Sequence, residues 1–530
     1  MSSFEVETPI LNSPYDEPVE YWQIEDGRPP ARALGRRPAG YFYRDPKAPP
    51  PSAGEPARGS WQELELVNRI RKQVAEWRRL GYPGASRTTR DLIEYWRRDG
   101  RRYRLFFAQI EAAETVMFLT EGRTDLRQGI DVPPEETPDE VDVFRRYASK
   151  MATGSGKTTV MGMLIAWSVL NKVASKGDAR FSDVVLVVCP NVTIRERLRE
   201  LDPNEAEASL YRTRDLVPPD LMPQLRRGRV LVKNWHEFER KGMSAGNRVQ
   251  KNGEAVKQRV TIKIGAKTTS GRGQRWFTEQ AFQIAVDQKQ FQVVEDRRPA
   301  KQEVVVDETR YVESEARWIQ RVLGREVGGK QNILVLNDEA HHAYRIRQGQ
   351  ESELELQQEL LDEERDDELT YESTVWIEGL DRIHKHRRIN VCVDLSATPY
   401  YLARAGEDTN RIFPWVVSDF GLTDAIESGL VKIPQLAISD PTGKDEAEYF
   451  NIWRWIMSKL TSAERGGKRA NPKPEAVLKW AQHPIELLAQ DWDELRTQWE
   501  KGDEERPPVL ILVCKNTKLA GVIYEWLAEG

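Results

Sequence analysis

The chain has 530 residues, 39% hydrophobic and 31% charged, with a formal net charge of −5 at pH 7. That length exceeds one ordinary core and calls for several domains or large insertions, while the charge excludes a globally basic nucleic-acid coat and leaves room only for a local one. No apolar run approaches the roughly 20 residues of a membrane span, the N-terminus lacks a basic region followed by an apolar core, and Cys189, Cys392 and Cys514 sit singly in short apolar runs, so a cytoplasmic protein with buried, reduced thiols is expected.

In chain order, residues 1–60 are rich in Pro, Gly, Arg and Asp, which predicts a poorly ordered or peripherally draped arm. A helical region is expected over 61–130. Trp61, Leu64, Val67, Ile70, Val74 and Trp77 recur at helical spacing and make one apolar stripe. A second helix should follow Ser86, with Leu92, Tyr95 and Trp96 inward, and a third should start at Phe106. The stretch from Arg69 to Arg104 is basic and interleaved with Trp77, Tyr82, Tyr95, Trp96 and Tyr103. Such a mixture suits nucleic acid, but Trp77 and Trp96 fall on the apolar helix faces and read as core.

From 131 to 434 apolar β-branched runs alternate with helical stretches. The runs are 184–189, 230–235, 333–338 and 389–396. This alternation predicts an α/β domain with a doubly wound parallel sheet. Two insertions interrupt it: a β-alternating excursion near 240–310, which includes FQIAV and FQVVED, and an acidic helical stretch at 348–370. Residues 435–506 read as a helical linker. At Pro507 a strand, PPVLILVC, and a helix are expected, as the first unit of a second α/β domain.

Three segments carry chemistry. Met151-Ala-Thr-Gly-Ser-Gly-Lys-Thr-Thr159 precedes an apolar helix. Glycines let backbone N–H groups turn onto a phosphate, and a helix N-terminus behind them adds positive potential. Lys157 would reach the β- and γ-phosphates and Thr158 would hold Mg²⁺. Ile333-Leu-Val-Leu-Asn-Asp-Glu-Ala-His341 ends an apolar strand in two carboxylates: Asp338 for Mg²⁺ and Glu339 to polarise an attacking water. Asp394-Leu-Ser-Ala-Thr-Pro399 follows another strand, and Ser396 and Thr398 could hydrogen-bond the carboxylate pair. His236 and His342 read as network residues rather than metal ligands.

The order and spacing of these segments resemble motifs I, II and III of superfamily 2 helicases and translocases. MATGSGKT, NDEAHHAY and LSATP look closest to type III restriction enzyme R subunits. The resemblance covers roughly 100–435 plus 507–530. It implies a RecA-like P-loop fold, with ATP and Mg²⁺ as cofactors. It also implies a nucleotide site formed by Gln109, Thr153, Gly154, Ser155, Gly156, Lys157, Thr158, Thr159 and His341. Gln109 matches the adenine-recognising glutamine of the upstream segment FFAQIEAAET. Thr193, Arg195 and Asn234 match positions that grip DNA, with RNA as the other nucleic-acid partner. The implied role is an ATP-dependent DNA motor in restriction or phage defence, with a modification methylase or nuclease as companion and a second RecA-like domain to complete the site.

Departures are the Met at 151 where Gly is usual, the absence of motifs V and VI with their arginine finger, and the absence of a nuclease motif. A rival reading is an ATP- and nucleic-acid-binding subunit without efficient turnover. A kinase or transporter ATPase is disfavoured by DEAH followed by SATP.

Overall fold

The computed structural model describes residues 6, 8–24, 28–45, 59–137, 142–205, 208–242, 253–265, 276–298, 302–345, 363–401, 409–433, 452–465, 472–502 and 506–529. The chain divides into two compact units, one of residues 1–258 and 309–432, the other of 259–308 and 433–530. Helices shorter than six residues are left unlabelled.

The first unit opens with two antiparallel pairs, β1 (Glu20–Gln23) with β2 (Ala31–Leu34) and β3 (Gly40–Tyr43) with β4 (Ser60–Glu63). The described part of the arm is therefore ordered, contrary to the composition. Its arginines explain why. Arg36 makes a two-pronged ion pair with Glu111 and Arg37 pairs with Glu427, and both carboxylates are buried. A buried carboxylate without a cation is costly, so these acids fix the arm. Trp61 also departs from expectation. It lies in β4, 43% exposed and opposite Phe42, because residues 60–63 find an open strand edge before the helix begins.

Helix α1 (Glu65–Arg79) buries Val67, Ile70, Val74 and Trp77, the expected stripe without its first two members. Ser86 caps α2 (Arg87–Arg97) by accepting the Thr89 N–H; Leu92, Ile93 and Trp96 are buried, and Tyr95 is half-buried. Helix α3 (Phe107–Glu121) is buried on nearly every side.

The central sheet contains β5 (Arg146–Met151), β6 (Val184–Cys189), β7 (Arg229–Asn234), β12 (Ile333–Asp338), β13 (Ile389–Ser396) and β14 (Val416–Phe420). Its order is β14-β5-β13-β12-β6-β7, and every pair is parallel. Strand side chains alternate between two cores. Val185, Val187, Leu334, Leu336, Val391 and Val393 face α1–α3 and α4 (Lys157–Ala174). Val184, Leu186, Val188, Ile333, Val335 and Cys392 share the other core with the later helices of this unit. The sheet is thus covered on both faces, which parallel strands require. All six strands end at one edge, where the candidate site lies.

Strand β5 is unusually polar for a central strand, and its two cations have buried partners. Arg146 donates to Asp394 at 2.9 Å, Glu135 at 2.7 Å and the Ala343 carbonyl at 2.7 Å. Asp394 also accepts from Asn337 Nδ2 and Trp415 Nε1, each at 2.8 Å. Lys150 lies 3.0 Å from Asp419. Each charge is satisfied, so the strand tolerates what a lone buried cation would forbid.

The remaining helices of the unit are α5 (Val192–Leu198), α7 (Glu315–Leu323), α8 (Glu363–Arg387) and α9 (Leu422–Glu427). The acidic stretch 348–370 lies outside the described residues up to 362; α8 begins within it.

A four-stranded sheet ordered β10-β11-β8-β9 is formed by β8 (Gly253–Ile264), β9 (Trp276–Phe277), β10 (Phe291–Asp296) and β11 (Glu303–Glu313), and the second unit holds its residues from 259 to 308. The β excursion is therefore present, with one change. FQIAV is helical, in α6 (Glu279–Asp287), because Thr278 caps it and Phe282 and Ala285 bury one turn apart. Helices α10 (Ile452–Lys459), α11 (Pro474–Lys501) and α12 (Thr517–Glu529) share a small core of Ile456, Val477, Ala481, Ile485, Leu519 and Ile523. The strand expected at Pro507 does not form. Among the described residues, 507–514 pair with no neighbouring strand, and Cys514 is half-buried off any strand.

Candidate active site

The glycine loop leaves the buried end of β5. Met151 is 1% exposed and packs in the core, so the residue that departs from the usual glycine serves the strand rather than the cradle. Gly154 and Gly156 have φ of +87° and +91°, a region that favours glycine. A side chain at 156 is doubly excluded, since its Cβ would lie 2.0 Å from Gln109 Nε2. Ser155 is buried, and its hydroxyl donates to the Ala152 carbonyl at 2.7 Å. The N–H groups of Gly154, Gly156, Lys157 and Thr158 donate to no described protein acceptor, which suits an anion at the start of α4. Thr153 is exposed, Thr158 half-buried and Thr159 buried.

Gln109 is 5% exposed and turned onto this loop. Its Nε2 donates to the Ser155 carbonyl at 3.2 Å and its Oε1 accepts the Phe106 N–H at 2.9 Å. The upstream segment and the glycine loop, 46 residues apart, are thus joined by one side chain.

The acidic pair stands at the end of β12. Lys157 Nζ lies 3.1 Å from Glu339 Oε1. Glu339 has φ +49°, a left-handed conformation that turns the chain sharply after the strand. Asp338 is 8% exposed. Burial first, and the Glu339 charge second, push its carboxyl up to about 6, while Lys157 pulls the other way. It is a buried carboxylate with no cation in direct contact among the described residues.

His341 Nδ1 lies 2.9 Å from Ser396 Oγ and 3.6 Å from Glu339 Oε2. Burial and the neighbouring His342 ring push His341 down to about 4, so it is neutral at pH 7. Ser396 therefore bonds the histidine rather than the carboxylates: parallel pairing of β12 and β13 sets Asp338 opposite Leu395, and Ser396 lies one residue further along the edge. Ser396 also accepts the Thr398 N–H at 3.0 Å; the Thr398 side chain is exposed. His342 faces Glu372 of α8 at 3.3 Å. No family model, curated protein or solved structure matches this chain.

The residues matched to nucleic-acid contacts are less uniform. Thr193 is exposed on α5, the helix that Asn191 caps through the Ile194 N–H. Arg195 is half-buried beside Glu196 and Glu237 at 3.1 and 3.5 Å. Asn234 is 2% exposed, and its Oδ1 accepts the His236 N–H, so it shapes the turn after β7. The His236 ring lies tilted against that of Trp235, with centroids 3.6 Å apart. Sequence reasoning missed Arg197. It is exposed on α5, makes no ion pair or hydrogen bond among the described residues, and its charge reaches Asp338. Its signal was spacing, since Arg195 and Arg197 on α5 and Arg199 just beyond it alternate after a strand that ends at the same sheet edge.

Among the described residues, no helix is long and apolar enough to cross a membrane.

Proposed function

We propose that the sheet edge binds Mg·ATP in a RecA-like domain, and that the chain is a nucleic-acid-stimulated ATPase, a helicase or translocase motor resembling type III restriction R subunits. One observation carries the reading. Lys157 and Glu339, 182 residues apart, meet at 3.1 Å where the glycine loop and the acidic strand end together. A structural ion pair would not need four unpaired N–H groups, two left-handed glycines and a buried, cation-free carboxylate around it.

The residues fit the cofactors. Gly154 to Thr158 would cradle the phosphates, with Lys157 leaving Glu339 for the β- and γ-oxygens. Thr158 and Asp338 would hold Mg²⁺, which neutralises phosphate charge when bound. Asp338 would then be ionised, because a cation offsets the burial that raises its pKa. Glu339, freed from Lys157, would orient and polarise the attacking water. The His341–Ser396 contact ties the β12 and β13 loops into one unit beside Glu339. Gln109 stiffens the loop on the side where a base would lie. Thr193, Arg195 and Arg197 offer donors and charge to a strand crossing this edge.

A slower variant of the same reading has one supporting observation: the described residues contain a single parallel sheet. In the resembled motors a second such domain supplies an arginine worth about 10³–10⁵ in rate. Binding without brisk turnover would follow if none acts here.

The test is steady-state hydrolysis with and without DNA, for the parent and Glu339→Gln. The parent should show DNA-stimulated turnover. The variant keeps shape and hydrogen bonding, so it should still bind ATP while turnover falls by about 10²-fold or more. Hydrolysis unchanged in Glu339→Gln would remove this glutamate from the chemistry.

A further inference from the structure

The basic and aromatic stretch between Arg69 and Arg104 divides in the structure. Trp77 and Trp96 are at most 1% exposed and belong to the core. Tyr103 is 41% exposed. The guanidinium carbons of Arg102 and Arg214 lie 5.2 and 5.8 Å from its ring centroid. Both arginines are exposed, and neither has an ion-pair partner among the described residues. Both lie over an accessible ring, and Arg214 also acts on the Glu200 carboxylate without forming an ion pair with it.

The loops that carry these groups are held rigidly from beneath. Arg101 is 8% exposed and donates to the carbonyls of Tyr103 at 3.1 Å, Tyr95 at 3.3 Å and Arg214 at 2.9 Å. Trp96 Nε1 donates to the Leu216 carbonyl at 2.8 Å, and the Tyr95 hydroxyl donates to Asp215. Asp215 is already paired with Arg98, so it does not neutralise the outer pair. The fixing of two separate loops keeps the ring presented without an ordering cost on binding.

We propose that Arg102, Tyr103 and Arg214 form a platform for single-stranded nucleic acid, with one unpaired base stacked on Tyr103 and the flanking phosphates on the two arginines. An exposed aromatic ring takes a base only where the base is unstacked, which favours a single strand over a duplex. An acidic peptide would satisfy the arginines and leave the ring unused. The platform acts by binding and does not depend on hydrolysis at the sheet edge.

The experiment uses the full chain without nucleotide and a fluorescein-labelled 20-nucleotide oligo-dT. Anisotropy is read from 50 to 200 mM NaCl. Tyr103→Ala should weaken binding about tenfold, and Tyr103→Phe should restore it, because stacking needs the ring and not the hydroxyl. Arg102→Ala with Arg214→Ala should lower the slope of log affinity against log salt by about 1.4, two contacts at about 0.7 each. Thermal melting of each variant should match the parent, because the altered side chains are exposed. Lys157→Ala should bind the oligonucleotide like the parent, so failure of the nucleotide site would leave this result standing. Equal affinity and slope in Tyr103→Ala and the double arginine variant would overturn the platform. So would competition by poly-glutamate that displaces the oligonucleotide from the parent and from Tyr103→Ala alike, since the partner would then be an acidic chain.

Discussion

Residues 184–189, VVLVVC, and 509–514, VLILVC, are nearly the same word, and the structure treats them oppositely. In the first every residue is 0% exposed, and the backbone pairs with β12 on one side and β7 on the other. In the second Val509, Ile511 and Val513 are 80%, 75% and 92% exposed, and no ladder forms. Apolar β-branched residues make extended backbone comfortable. They do not supply the hydrogen bonds, which come from the neighbouring edges. A strand is thus a property of a position in a sheet, and 509–514 has the pattern without the position.

Substitutions can break or sharpen that contrast. Val187→Asp should have the largest effect, placing an unpaired charge in the main core and costing about 4–5 kcal/mol or more. Denaturant unfolding would measure it, with loss of folded protein as the extreme outcome. Arg146→Met comes next. It leaves Asp394 without its buried cation and Glu135 with Arg345, whose Nε lies 3.4 Å away, and breaking such a pair costs about 3–5 kcal/mol. An Arg146→Met protein as stable as the parent would mean those acids are protonated or hydrated.

Asp338→Asn has a smaller effect that depends on pH. The folded carboxyl sits near pKa 6, above its ordinary value, so the folded state binds the extra proton between about pH 4 and 6. Stability from this group therefore falls as pH rises through that window. Asp338→Asn removes the fall, so its stability relative to the parent should grow by up to about 3 kcal/mol from pH 4 to 7. His341 works in the opposite sense. Its folded pKa of about 4 is depressed, so its contribution rises from about pH 4 to 6.5 and masks the Asp338 effect in the parent alone. A variant-minus-parent difference that is flat with pH would refute the raised carboxyl. Val513→Asp should be smallest, within about 0.5 kcal/mol, because the side chain is already in water. A large loss there would show that the outward side of 509–514 is packed too, beyond the contacts of Leu512 and Cys514 with the small helical core.

Much of this was legible in sequence where local and long-range demands agree. The four apolar runs lie on β6, β7, β12 and β13 with ends matching to within one residue; β6, β12 and β13 are buried on both faces, and β7 is a half-buried edge strand. Gly154, Gly156 and Lys157 were legible because loop geometry restricts which residues fit. Strand β14, Val416–Phe420, was not, since it is short and ends in Ser-Asp-Phe. Arg146 looked like a flaw in its strand, and its partners Glu135 and Asp394 are 11 and 248 residues away. The arm looked disordered because composition does not reveal that Glu111 and Glu427 await its arginines. Ser396 was read toward the carboxylates because one-residue register along a sheet edge is not written in a motif.

The most direct test of the nucleotide site is equilibrium binding of Mg·ATP to the parent and to Lys157→Ala, with folding checked by thermal melting. Lys157 is at the sheet edge with its amine on Glu339 and belongs to none of the apolar core clusters. The expected result is saturable binding by the parent and its loss, at unchanged folded content, in Lys157→Ala. Equal binding by both proteins would contradict the assignment of residues 151–159 as the phosphate cradle.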